Sequence, residues 1–156
     1  MKRLLMTTII MFSIVLLGNA QDYNTGIGLR GGLENGITVK HFLTDNTAIE
    51  GLLDSRWSGF KITVLYEIHH QAFNADQWNW YYGFGGHIGF WNGSNVNWAD
   101  DNKDYVVIGI DGIIGLEYVF ESVPFNISLD WKPSFNLIGH SDFWGDGGAI
   151  SVRYIF

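Results

Sequence analysis

Apolar and polar residues alternate with a period of two along most of this chain, and the pattern is plainest at its end. In "GGAISVRYIF" the residues Ile150, Val152, Tyr154 and Phe156 fall on one side of an extended chain, with Ala149, Ser151, Arg153 and Ile155 on the other. Followed backwards, the pattern predicts eight strands, over Thr25–Leu33, Gly36–Leu43, Ala48–Trp57, Phe60–Phe73, Trp78–Trp91, Tyr105–Phe120, Phe125–Leu137 and Gly147–Phe156. The breaks carry turn chemistry. "ENG", "TDNT", "NADQ" and "ESVP" are short, whereas "NGSNVNWADDNKD" and "GHSDFWGDG" are long and polar. With both termini on one side, "TDNT", "NADQ" and "ESVP" share that side and the two long loops share the other.

The two faces of each strand differ in bulk as well as polarity. Phe60, Ile62, Val64, Tyr66 and Ile68 oppose Lys61, Thr63, Leu65, Glu67 and His69; Trp80, Tyr82, Phe84, Ile88 and Phe90 oppose Asn79, Gly83, Gly85, His87 and Gly89. Val106, Ile108, Ile110, Ile114, Leu116 and Tyr118 are likewise set against Asp111 and Glu117, and Phe125, Ile127, Leu129 and Trp131 against Asn126, Ser128, Asp130 and Lys132. Alternation alone does not say which face is inside. A small, glycine-rich polar face suits a narrow interior, and a bulky aromatic face suits surrounding hydrocarbon. That orientation gathers Arg30, Lys40, Arg56, Lys61, Lys132 and Arg153 inside with Glu50, Asp54, Glu67, Asp111, Glu117 and Asp130, six of each sign, as buried charges require. The expected fold is all-β, an eight-stranded antiparallel up-and-down transmembrane β-barrel whose lumen is filled by ion pairs, with Gly83, Gly85 and Gly89 on a wall that charged side chains fill.

The first residues change the address. Met1, Lys2 and Arg3 precede an almost wholly apolar run from Leu4 to Leu17, and Gly18-Asn19-Ala20 supplies the small residues of a cleavage site. The run is shorter than the ~20 residues a membrane-spanning helix needs. Residues 1–20 therefore read as a signal peptide and 21–156 as a single barrel domain. The formal net charge of −7 becomes more negative once Lys2 and Arg3 are removed, which argues against nucleic acid as a partner. The chain has no cysteine, so it carries neither a disulfide nor a lipid-acceptor thiol.

A C-terminal Phe156, with Tyr154 third from the end and Val152 and Ile150 at the fifth and seventh places, resembles the assembly signal of bacterial outer-membrane barrels. With the export signal and eight strands, the chain resembles small outer-membrane barrels of the OmpA or OmpX type. "PFNISLDWKP" is similar to a phrase in uncharacterised outer-membrane proteins of comparable length. The resemblance implies the outer membrane of a Gram-negative bacterium as location. It implies outer-membrane lipids, the barrel assembly machinery and periplasmic chaperones as partners, and it implies no activity.

Candidate chemistry is sparse. "GIGLRG", Gly26 to Gly31, matches a dinucleotide fingerprint in letters only, since no βαβ unit surrounds it. His69 and His70 are adjacent on a strand and point to opposite faces, so they do not chelate one ion. Asp100, Asn102, Asp104 and Asp111 have calcium-loop spacing, yet Tyr105 occupies the glycine position and Asp111 falls within a strand. "GHSD" is compared with lipid A deacylases, whose pattern places one residue between His and Ser, followed by a distant Glu. Here Ser141 directly follows His140, and the last glutamate is Glu121. The expectation is a non-enzymatic barrel without catalytic, metal or cofactor site, serving envelope structure or surface contact through its long loops. A lipid A-modifying enzyme using His140 and Ser141, and a narrow pore, are the alternatives.

Overall fold

The computed structural model describes residues 23–95 and 103–156. The expected signal peptide and most of "NVNWADDN" in the first long loop lie outside the described residues. The strands are β1 (Thr25–Gly32), β2 (Asn35–Thr44), β3 (Thr47–Arg56), β4 (Gly59–Ala72), β5 (Ala75–Asn92), β6 (Asp104–Val119), β7 (Phe125–Trp131), β8 (Ser134–Ile138), β9 (Phe143–Trp144) and β10 (Gly148–Ile155). From β1 to β6 each strand pairs antiparallel with its neighbour in sequence. β7 and β8 follow one another along β6, β10 pairs with β7, and β9 pairs with β8. Pairing of β1 with β10 closes the ring, so the segments make a closed eight-stranded antiparallel barrel.

Closure is tight. At the seam Asn24 N and Thr25 N both donate to Phe156 O, at 3.2 and 3.0 Å, and Phe156 N donates to Thr25 O at 2.9 Å. A Cβ built on Gly28 would stand 1.9 Å from Val152 O, so only glycine lets β1 approach β10 this closely. The glycines of "GIGLRG" thus belong to the seam of a barrel.

Two hairpins turn on paired residues in the left-handed region, Trp57-Ser58 (φ 50° and 57°) and Phe73-Asn74 (φ 58° and 53°). Two consecutive residues at positive φ are what a type I′ turn demands, and its twist matches the strands it joins. A bulky residue costs roughly 1–2 kcal/mol there, a cost the long ladder between β4 and its neighbours must offset.

Polarity is inverted relative to a protein folded in water. Leu29 is 70% exposed, Phe84 68% and Leu129 61%, while Lys40, Glu50, Glu67 and Arg153 are wholly buried. Every predicted outward set lies on the barrel exterior and every predicted charged set in the lumen. The wall is uneven in height, because β5 has 18 residues and β1 only 8.

Two details differ from the pattern read in sequence. The seventh strand is broken at Lys132-Pro133, because Pro133 has no N–H to give the ladder. The second long loop contains the short strand β9, which seats Phe143 opposite Phe135 and Trp144 opposite Ser134.

The exterior position of Ile110 and the lumen position of Ser128 generate a direct prediction. In lipid vesicles Ile110→Arg lowers unfolding stability by about 2–4 kcal/mol. Probes on Ile110→Cys and Ser128→Cys, clean sites in a chain without cysteine, are quenched by lipid-borne quenchers at 110 and protected at 128; the reverse result would invert the whole register.

Candidate functional site: the charged lumen

Among the described residues, chemistry-bearing side chains from every wall converge in the lumen. Near the termini, Tyr23 enters the bore. Its hydroxyl donates to Glu117 Oε1 at 2.6 Å and accepts from Asn126 Nδ2 at 2.9 Å. Its ring meets Phe42 edge-on at 5.1 Å, Phe42 lies 4.8 Å from His69, and His69 stacks on Tyr81 at 4.9 Å. These rings form an aromatic floor.

Above it is a network around two cations. Lys40 Nζ lies 2.8 Å from Glu67, 3.6 Å from Glu117 and 3.7 Å from Glu50, and 4.0 Å from the centroid of the Tyr81 ring. Arg153 pairs with Glu50, lies 3.7 Å from Glu117, and donates to Ser128 Oγ at 2.8 Å and Thr38 Oγ1 at 3.1 Å. Thr38 in turn donates to Glu50. Further up, Arg30 binds Asp130 through two bonds of 2.6 Å, the fork geometry that makes arginine the strongest partner for a carboxylate.

Toward the loops, Glu34 in the β1–β2 turn reaches back into the lumen and pairs with Lys61, with Lys132 at 3.0 Å and with Arg56 at 3.9 Å. Burial alone would raise the Glu34 carboxyl, but Lys132 and Lys61 outweigh it and hold the group down at about 2. Lys132 also contacts Asp111 at 3.4 Å, and Asp111 is bonded to His87 Nδ1 at 2.7 Å while Asn136 Oδ1 meets His87 Nε2 at 3.0 Å. A second aromatic layer lies over this cluster. Trp144 packs at 5.5 Å from both Trp91 and Trp57, Trp91 Nε1 donates to Arg56 O at 3.0 Å, and Arg56 stacks 4.0 Å from the Trp57 centroid. Arg56 is also tied by two bonds to Asp146 in the β9–β10 connection, and that hydrogen bonding holds the Asp146 carboxyl below its usual range.

All twelve charges assigned inward from sequence face the lumen. The assignment of partners was incomplete. Neither oxygen of Asp54 takes a hydrogen bond from a described residue, while Glu34, absent from the inward set, serves three cations. Of the three glycines expected to be covered by charged side chains, Gly83 does lie against that of Glu67, 3.1 Å from a built Cβ, Gly85 lies against the backbone of Val64 at 1.9 Å, and Gly89 is filled by the Trp91 ring at 2.2 Å. On β6 a Cβ on Gly115 would likewise meet Tyr81 at 2.5 Å and one on Gly109 His87 at 2.5 Å, so rings occupy these recesses. Tyr81 and Trp91 share parity with Gly83, Gly85, His87 and Gly89, which is the signal that would have placed them inside.

His69 and His70 do face opposite ways, His69 into the floor and His70 outward between Trp80 and Tyr82. Asp104 lies at the first loop and accepts from Asn92, whereas Asp111 is inside the barrel, so the structure does not bring these two together. His140 and Ser141 sit in the connection between β8 and β9, where His140 Nε2 is 3.9 Å from Asp142 and Ser141 is exposed.

No known protein family matches the sequence. No curated protein matches it either. Among solved structures the chain is similar to the N-terminal β-barrel domain of Pseudomonas aeruginosa OprF, with a TM-score of 0.66 and 15% identity over 86% of this chain and 98% of that one. At that identity the likeness establishes an outer-membrane-type barrel fold and nothing finer.

Two outcomes follow. Arg153→Ala strips Glu50 and Glu117 of a counter-charge and lowers stability by roughly 3–5 kcal/mol in denaturant titrations of the refolded barrel. For Glu34 the folded value lies below the ordinary 4.5, so its contribution is fully present above that value and is lost as pH falls toward about 2. Acid titration of wild type and Glu34→Gln should show their stability difference shrinking across that window and constant above it.

Proposed function

We propose that this chain is an exported outer-membrane barrel of a Gram-negative bacterium, with a filled lumen and no enzymatic role, acting in envelope structure or in surface contact through its long loops. The observation that carries this reading is the inversion of polarity. A ring of exposed Leu29, Ile62, Val64, Phe84, Ile110, Leu129 and Val152 around a lumen of buried Lys40, Glu67, Asp130 and Arg153 is stable where the surrounding solvent is hydrocarbon. In water the same exterior would be one large apolar patch and would aggregate.

The amino-terminal leader supports export, and the match of the last strand to an assembly signal supports delivery by periplasmic chaperones to the barrel assembly machinery. Phe156 has a second duty at the seam, where its backbone bonds Asn24 and Thr25. The side chain is thus free to be read by the assembly apparatus while the backbone closes the ring.

Filling of the lumen favours a structural role over a pore. The two aromatic layers and the ion pairs between them occupy a bore that eight strands make only wide enough for side chains. Planar-bilayer recordings of the purified protein are expected to show at most rare, small events, and fractionation of the expressing cell should place it in the outer membrane. A steady, reproducible conductance would replace the filled-barrel reading with a pore, and recovery in the periplasm as a soluble protein would remove the membrane reading altogether.

A further inference from the structure

The interruption of the seventh strand leaves a notch on the outside of the barrel. Pro133 faces outward there, opposite Gly112 of β6, and the two are joined by a bond from Gly112 N to Pro133 O of 2.9 Å. Neither residue raises a large side chain above the sheet. Their neighbours do: Ile114 stands opposite Trp131 on one side, and Ile110 stands opposite Phe135 on the other, with Phe143 of β9 beside Phe135. The result is a crevice of about 200 Å³ lined by Ile110, Gly112, Pro133, Phe135 and Phe143, together with Asp111 and Ser134.

We infer that this notch is a seat for one acyl chain of a membrane lipid, held in place longer than the lipids along the rest of the barrel wall. The inference rests on the membrane reading above. Three observations favour hydrocarbon over any polar occupant. The crevice is continuous with the apolar exterior, its rim being Ile110, Phe135 and Phe143, exposed by 54, 41 and 59%. The polar side chains beneath it turn the other way, Asp111 to His87 and Lys132, and Ser134 is buried. The bond between Gly112 and Pro133 already uses the floor's N–H and carbonyl, so a polar ligand would lose hydrogen bonds to water and gain none. A chain laid in the notch meets Ile110, Phe135 and Phe143 as well as the floor at Gly112 and Pro133, whereas one against a smooth strand meets a single flat face, and dispersion contacts scale accordingly.

The test uses the whole protein in phospholipid vesicles containing a small fraction of phospholipid with a diazirine in its acyl chain. After illumination, adducts are mapped by mass spectrometry. Ile110, Phe135 and Phe143 should be labelled several-fold more than outward residues of other staves such as Leu29 and Val64. Gly112→Phe fills the notch; a Cβ there meets nothing nearer than Pro133 Cγ at 3.7 Å, so the backbone accommodates it. In that variant the excess labelling should fall to the level of Leu29 and Val64 while those two are unchanged, and Phe143→Ala, which removes one wall, should reduce the excess as well. Uniform labelling of the wild-type exterior, or an excess indifferent to both substitutions, would overturn the seat and leave the membrane reading intact. Absence of labelling at Leu29 and Val64 together with the notch would overturn the membrane reading itself.

Discussion

The structure depends on neutralising charge inside a closed bore. Lys40 and Arg153 have no access to water, so each must find its counter-charges among residues that strand pairing happens to bring across the lumen. They do so by touching many walls at once: Arg153 of β10 reaches Glu50 of β3, Thr38 of β2, Ser128 of β7 and Glu117 of β6, and Lys40 of β2 adds Glu67 of β4. The backbone ladder joins each strand only to its neighbours, while this network joins strands on opposite sides. Register is thereby fixed twice, since a slip of one residue would turn a cation to the outside and leave carboxylates uncompensated within.

The apolar exterior is the complement of that arrangement. With the bore given mainly to charged and polar groups, aromatic rings and glycine, and only a few aliphatic residues such as Leu52, Leu65 and Ile113, the outward half of each strand carries most of the Ile, Val, Leu and Phe. No second sheet or helix among the described residues packs over them. Closure therefore gains little from burial of apolar surface against protein, as in a sandwich; what it completes is the backbone hydrogen bonding, since only a ring without edges leaves no strand unpaired. Gly28, whose place no side chain could take, and the bonds of Phe156 to Asn24 and Thr25 are the local expression of that demand.

Facing was legible in the sequence because it depends on parity alone. The twelve inward charges, the opposed His69 and His70, and the outward stripe of the last strand all follow from counting by twos. Height in the barrel and reach across it were not legible, since these depend on the stagger between strands, which no single strand's pattern encodes. Asp54 and Glu34 show the difference: the first sits on an inward position yet takes no hydrogen bond from a described residue, and the second sits in a turn yet binds Lys61 and Lys132. Tyr81 and Trp91 were hidden for another reason. Among glycines on the same face a large ring reads as an exception, although it is the flat side chain that an absent Cβ makes room for. The break at Pro133 was visible as a residue, but the notch it creates required knowing that Gly112 stands opposite.

Filling at both ends of the bore bears on where recognition can reside. The floor of Tyr23, Phe42, His69 and Tyr81 and the upper layer of Trp57, Trp91 and Trp144 leave the ion pairs between them as structural material, committed to one another. A side chain committed in that way cannot exchange partners for a ligand without exposing a buried charge, and the energy of doing so exceeds what a small polar solute could return. On the function proposed above, interaction is left to surfaces that the network supports without containing. Those are the segment between β8 and β10, held to the barrel by Arg56 on Asp146, by Trp144 on Trp57 and Trp91 and by the bond from Asn136 N to Asp142 O, and the exterior wall where Gly112 faces Pro133. The filled interior and the apolar exterior are consequences of the same charge constraint, because the parity that turns the ion network inward turns Ile110, Trp131 and Phe135 outward around the gap between Gly112 and Pro133.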